Sequence, residues 1–338
     1  MDEFVLALAA RGATDRWVGQ QAAWVGELLA FAGCPVWGVR PVHVDGWLAL
    51  ARGRGVGASS RAQMAQAVGH FYAFLQARHG LLVRELTGGP VVQPVDEFNR
   101  PRRVAAVVRV PPSAGEVQEL FGAWRWWLPS AGAGFLWAAR DYVAASLWRR
   151  VGLRINETVR LEVADWHPRM GTWGMVHVRW GKGSRGRGPK QRLVPAIDGV
   201  DRLLAWWLGQ VRPQFGDDLA GGRVALLPSR RRAPGGGRMP ACAVTLRQGL
   251  AGAVKRWLPG WSGRLTPHPL RHFCASHLYE RGVELEAIQA LLGHAWLSTT
   301  AGYVHVPAQR IEACWERANV RVGERLLGAV PAAAGQGA

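Results

Sequence analysis

Between residues 87 and 112 the chain carries Gly88, Gly89, Pro90, Pro94, Pro101, Pro111 and Pro112. Proline fixes φ and lacks an amide hydrogen, so no helix or central strand can run through such a stretch. A chain of 338 residues, long enough for about two domains, is thus expected to divide here into two units joined by an extended connection. Helix signals stand on both sides. Upstream, Thr14 can cap a helix over 14–32 in which Trp17, Val18, Val25, Leu28 and Leu29 recur at helical spacing, ended by Gly33 and Pro35. A shorter helix is expected near Asp45–Arg52. Ser60-x-x-Gln63 has the form of a capping box, opening an apolar stripe of Met64, Ala67, Val68, Phe71, Phe74 and Leu75 that reaches about Arg78. At helical spacing these aromatics are core, not a base-stacking platform. Downstream, Ser113-x-x-Glu116 is a second capping box.

The second unit mixes helix and strand. Helices are expected at about 114–128 and 134–150, with Pro129 between them, and a short one after Leu153-Arg154-Ile155. Residues 173–180 alternate, Gly181–Gly188 is a glycine- and arginine-rich turn, and Gln191–Ala196 is the returning strand of a hairpin. Further helices fit Asp201–Val211, Val244–Trp257 and 308–327. Val224–Leu227 suits an edge strand, and Ser229–Pro240 a mobile basic loop whose triple arginine is either solvated or a phosphate contact. The fold class is mainly α with a small antiparallel β-hairpin or sheet. Its expected limits are a helical domain over 1–86, a linker over 87–112, a second domain over 113–327 and a disordered Ala/Gly-rich tail over 328–338.

Charge narrows the partner. The chain has 42 basic and 24 acidic residues, a net charge of +18 and a pI near 11.3, and three of the basic residues are lysine. A GC-rich genome explains arginine over lysine but not the excess of positive charge. The balance points to a polyanion, and nucleic acid is the expected partner. Arg100, Arg102 and Arg103 in the connection are candidate DNA-backbone contacts, a solvated loop being the other reading. Four scattered cysteines without a CxxC pair suit reduced thiols in a cytoplasmic protein. Neither a signal peptide nor a membrane span is expected.

The residues for chemistry gather in Leu265–Val306, which holds His268, Arg271, Gly293-His294 and Tyr303. Covalent cleavage of a phosphodiester needs a nucleophile, cations for the developing charge and a proton donor for the leaving oxygen. Tyr303 suits the first, but with an ordinary pKa near 10 it needs a base or a cationic pocket. His268 and Arg271, three apart in the first turn of a helix, can share a face and address one phosphate. Lys182 can be the general acid, because lysine gives up a proton that arginine holds; Lys190 is its rival. His268 and His272 stand four apart, as zinc ligands can, but no third ligand has a helpful spacing, so no metal is expected.

Taken in order, Gly152-Leu153-Arg154-Ile155-Asn156-Glu157, Gly181-Lys182-Gly183, Thr266-Pro267-His268-Pro269-Leu270-Arg271-His272, Leu292-Gly293-His294 and Ser298-Thr299-Thr300-x-x-Tyr303 resemble the tyrosine recombinase (phage integrase) family over most of 113–325. The resemblance implies a two-domain architecture, a helical core-binding domain followed by a mixed α/β catalytic domain. It implies that Arg154 and Arg271 clamp the scissile phosphate, Lys182 protonates the leaving 5′ hydroxyl, His268 assists proton transfer at Tyr303, and His294 hydrogen-bonds the phosphate. Tyr303 would form a 3′-phosphotyrosyl link without metal, ATP or other cofactor. Glu157 either orients the catalytic groups or is a plain helix-start acid. The implied partners are double-stranded DNA and further copies of the chain in a synaptic tetramer, with the 308–327 helix docking on a neighbour or on its own domain. Three features depart from the pattern: Pro269 after His268, a long hairpin turn, and Gly302 before Tyr303, which loosens a helix by about 1 kcal/mol relative to alanine. Two rivals remain, a type IB topoisomerase-like enzyme and a DNA-binding protein with an inactive catalytic domain. The close spacing of His294 and Tyr303 and the separate N-terminal unit favour recombination; the full set of candidate residues argues against inactivity.

Overall fold

The computed structural model describes residues 1–101, 110–181, 189–220 and 223–293, and these fall into two compact units, one before and one after the first gap in that series. The 308–327 helix, the tail and the turn of the first hairpin lie outside the described residues.

The first unit contains α1 (Asp2–Ala10), α2 (Asp15–Ala32), α3 (Pro41–Gly53) and α4 (Ala58–Thr87). Thr14 precedes α2 in extended conformation, and Gly33 ends it at φ 59°, returning its amide to the Leu29 carbonyl. α3 begins earlier than the sequence suggests because Pro41 takes the first helical position, where a missing N–H is harmless. The Arg40 amide there donates to His43 Nδ1 at 2.9 Å. α4 differs from expectation at both ends. Its N-cap is Gly57, so Ser60 lies inside the helix and makes no capping box, and it continues past Arg78 and through Gly80 to end at Gly88, left-handed at φ 72°. The stripe of Met64, Ala67, Val68 and Phe71 is buried as its spacing predicts. Phe4 of α1 meets Phe71 edge-on at 5.2 Å between ring centroids. Val91 and Val95, within the proline-rich stretch, also enter this core, and Gln76 and Gln93 side chains tie the stretch to α4 through backbone carbonyls.

The second unit opens with α5 (Ala114–Trp127) on the expected capping box: the Glu116 amide donates to Ser113 Oγ at 3.2 Å and the Ser113 amide to Glu116 Oε2 at 2.7 Å. Its centre is α6 (Phe135–Arg150), buried on almost every side and packed by α5, α8 (Val200–Trp206), α9 (Ala243–Trp257) and α10 (Pro267–Glu280). The small and apolar residues Ala139, Val143, Ala144, Ala145, Leu147 and Trp148 of this helix are buried, and the buried Arg140 is paired with the neighbouring Asp141. The four-residue α7 (Ile155–Thr158) follows α6, fixed by Trp148 Nε1, which donates to Thr158 Oγ1 at 2.9 Å in the interior.

The sheet is antiparallel in the order β1 (Trp166–His167), β2 (Met175–Gly181), β3 (Lys190–Pro195). Val176 pairs with Val194, and Val176, Val178 and Val194 face the core. The alternation breaks at a register shift between Val178 and Gly181, which leaves Trp180 44% exposed. Val224–Leu227 contributes an isolated bridge, Glu162 to Ala225. The segment Ser229–Pro240 is not a loop but a two-stranded hairpin, β4 (Pro228–Arg232) and β5 (Arg238–Pro240). Two of its arginines have partners from elsewhere in the unit: Arg230 and Arg238 lie over the Trp137 ring, and the Arg238 amide donates to Asp217 at 3.0 Å. α11 (Leu285–Leu292) closes the described part of the unit, ending at Gly293 in left-handed conformation. No helix among the described residues is long and apolar enough to cross a membrane.

Candidate active site

Two turns of backbone with positive φ frame the site. At Gly152, φ 61°, the chain leaves α6, and a β-carbon there would run into Leu292 and press on Cys274. Two residues later Arg154 occupies the N-cap of α7 in extended conformation. Its amide donates to Glu157 Oε2 at 2.9 Å and its Nη1 to Glu157 Oε1 at 2.8 Å, so the acid three residues on fixes both main chain and side chain.

Arg271 comes from α10. Its side chain is 1% exposed, with Nη1 donating to the Gly152 carbonyl and Nη2 to the Leu292 carbonyl at 2.7 Å. Arg154 Nη1 reaches the same Leu292 oxygen at 3.4 Å. The two arginines, more than a hundred residues apart in sequence, thus meet on one carbonyl at the C-terminal, negative end of α11.

A third arginine, from β3, completes the cluster. Arg192 forks onto Glu157 through Nη1 to Oε1 at 3.0 Å and Nη2 to Oε2 at 2.8 Å, while its Nε donates to the Leu291 carbonyl at 3.1 Å. Burial alone would raise the Glu157 carboxyl; the hydrogen bonds and charge of Arg192, then those of Arg154, outweigh it and hold it at about 2. Two guanidiniums, Arg154 and Arg192, share the one carboxylate, and a third, Arg271, joins Arg154 on the Leu292 carbonyl, so the cluster keeps a positive surplus next to the point where His294 follows Gly293. That is the electrostatic requirement of a phosphate site. The nearby Cys274 thiol is pushed up to about 12 by burial and is inert at neutral pH.

His268 and Arg271 share the N-terminal part of α10 but differ in depth. Arg271 is buried, whereas His268 is exposed, its Nε2 3.2 Å from that of His272 and the two rings edge to face. Both histidines line a cleft of about 870 Å³ with Glu116, Trp261, Arg264 and His277. Among the described residues no three His, Cys, Asp or Glu side chains gather as metal ligands would. Arg100 is exposed after a turn in which its amide donates to the Asp96 carbonyl at 3.2 Å. Lys190 is exposed opposite Gly181. Lys182, His294, Tyr303, Arg102 and Arg103 lie outside the described residues.

Sequence reasoning passed over Arg192 and left Glu157 open. A signal for Arg192 was present: it shares strand parity with the buried Val194, and an arginine on an inward face needs a partner. Glu157 is that partner.

The profile of the Phage integrase family matches residues 135–310. Among curated proteins, the chain is 33% identical to the tyrosine recombinase XerD of Staphylococcus epidermidis over 172 residues, 51% of this chain and 52% of that protein. It is 30% identical to the tyrosine recombinase XerC of a Mycobacterium species over 184 residues, 54% of this chain and 55% of that protein. The chain spans about half the length of the curated relatives it matches. Among solved structures, XerH site-specific recombinase bound to palindromic difH substrate aligns at TM-score 0.67 and 18% identity, covering 91% of this chain and 82% of that one. The Tn1549 transposon integrase in complex with transposon right end DNA aligns at TM-score 0.64 and 16% identity, covering 94% and 98%. At such identities the likeness is one of fold.

Proposed function

The chain belongs to the phage integrase family, and we propose that it is a site-specific DNA recombinase that cuts and rejoins strands through a 3′-phosphotyrosyl bond at Tyr303. The observation that carries this reading is the convergence of Arg154 and Arg271 on the Leu292 carbonyl. Two guanidiniums sharing one acceptor can address the two non-bridging oxygens of a single phosphate. Tyr303 Oη attacks phosphorus as His268 assists removal of its proton. The bond to the 5′ oxygen breaks, and Lys182 supplies the proton to the leaving hydroxyl. His294 donates to the phosphate, and a 5′ hydroxyl from a partner strand reverses the sequence. The ester conserves the bond energy, so the step needs neither ATP nor a metal.

We assign 1–86 as the core-binding domain, 87–112 as the linker, whose Arg100, Arg102 and Arg103 follow the DNA backbone, and 113–327 as the catalytic domain. Four copies assemble on DNA in the cytoplasm. XerH and the Tn1549 integrase were solved on DNA, which supports double-stranded DNA as the partner.

The test is a nicked suicide substrate bearing the cognate site, which traps cleaved protein–DNA adduct. Wild type forms adduct and Tyr303→Phe forms none, while Arg154→Ala and Arg271→Ala each lower cleavage by about 10²–10³. Absence of wild-type adduct on that site defeats the reading; a change under threefold removes the arginine concerned from the phosphate.

A further inference from the structure

We infer that Arg192 is a positioning residue for strand cleavage, setting Arg154 through Glu157 and the Gly293 turn through the Leu291 carbonyl. The inference rests on the recombinase reading above and assigns Arg192 no contact with the phosphate. Its fork is spent on Glu157 and its Nε on Leu291. Three elements are therefore tied by one side chain: β3, which carries it; α7, whose first turn Glu157 holds; and α11, whose last carbonyls receive it.

The two consecutive carbonyls at the end of α11 divide the labour. Leu291 takes Arg192, and Leu292 takes Arg271 and Arg154. A shift of α11 by a fraction of an ångström alters all three contacts together. Arg192 also packs over Gly293, where a β-carbon would come within 2.9 Å of its Cδ and 3.0 Å of its Nη1. The left-handed turn leading into His294 is thereby covered by the side chain that braces Glu157. Oε1 of Glu157 accepts from both Arg154 Nη1 and Arg192 Nη1. The placement of Arg154 is thus set against that of Arg192, with one carboxylate between two like charges.

Lysine keeps the charge but offers neither the planar fork nor a second direction for Nε. Arg192→Lys therefore separates geometry from charge. With the full chain on a nicked suicide substrate, the lysine variant is expected to bind site DNA within twofold of wild type. Its single-turnover cleavage falls roughly 10²-fold, the scale of a small misplacement of a catalytic group. In a Glu157→Gln background the same change costs at least threefold less than it does in wild type, because the path from Arg192 to Arg154 is already weakened and only that through Leu291 remains. Cleavage is measured where circular dichroism shows the variants folded, and Arg192→Gln serves as a second variant.

Cleavage by Arg192→Lys within threefold of wild type overturns the inference and leaves the recombinase reading standing. So does loss of binding and cleavage by the same factor, which marks a structural role only, and so do full, additive costs in the double variant. No adduct from wild type defeats the recombinase reading itself, and the inference with it.

Discussion

Glu157, buried, and Asp141, largely buried, are both acids of the second unit beside arginine, and they titrate in opposite directions. Asp141 sits on α6, where the neighbouring Arg140 places both Nε (2.9 Å) and Nη2 (2.7 Å) on the same oxygen, Oδ1. Its other oxygen lies against Gly249, where a β-carbon would collide with it. Burial prevails there over the arginine and raises the carboxyl to about 6. Each Glu157 oxygen, by contrast, accepts two donors, and the group is held at about 2 in spite of burial. Burial is common to both, so it does not decide the sign. The number and spread of donors does. Nature of the carboxylate matters less than whether both of its oxygens are answered.

Removing one side of each pair tests this contrast, and the largest effect is expected at Glu157. Glu157→Ala leaves Arg154 and Arg192 without their shared counter-charge and should cost about 3–5 kcal/mol in urea unfolding. A loss below about 1 kcal/mol would show that the cluster is braced elsewhere.

The pH dependences should then diverge. The folded-state pKa of Glu157 lies below its ordinary 4.5, so its contribution is present above pH 4.5 and is lost as pH falls towards 2. Asp141 is raised above its ordinary 3.8, so the folded state holds that proton more tightly. The penalty for ionising it is in force above pH 6 and is relieved as pH falls to 3.8. Between pH 7 and 4, wild type should gain on the order of 2–3 kcal/mol relative to Asp141→Asn. Parallel stability curves for the two proteins would mean that folding leaves the Asp141 pKa unshifted. The smallest effect is expected at Arg230, one of three arginines over Trp137. Arg230→Ala should cost under about 1 kcal/mol in thermal unfolding, the range of an exposed cation–π contact.

What the sequence disclosed follows from how far apart the interacting parts lie. The Ser113–Glu116 cap and the inward Val176 and Val178 are local, set by spacings of three and two, and both are legible. Arg154 and Arg271 are legible because their neighbours repeat a family pattern. Arg192 is not, because its partner stands 35 residues away in a different element. The Leu292 carbonyl on which the arginines meet is main chain, and no residue type announces it. The β4–β5 hairpin hides for a related reason. Ser229–Pro240 has no apolar alternation, and its order comes from Trp137 and Asp217, which are remote in sequence. The start of α4 misleads in the opposite way: Ser60 and Gln63 have the letters of a cap, but Gly57 already holds the extended backbone that a cap requires.

The glycines at 152 and 293 carry a genetic consequence. Both hold positive φ; a β-carbon would meet Leu292 and Cys274 at the first and Arg192 at the second. Every missense change one base away from a glycine codon adds a β-carbon. Neither position therefore has a neutral neighbour in codon space, and drift among descendants of this gene should be halted at those two codons.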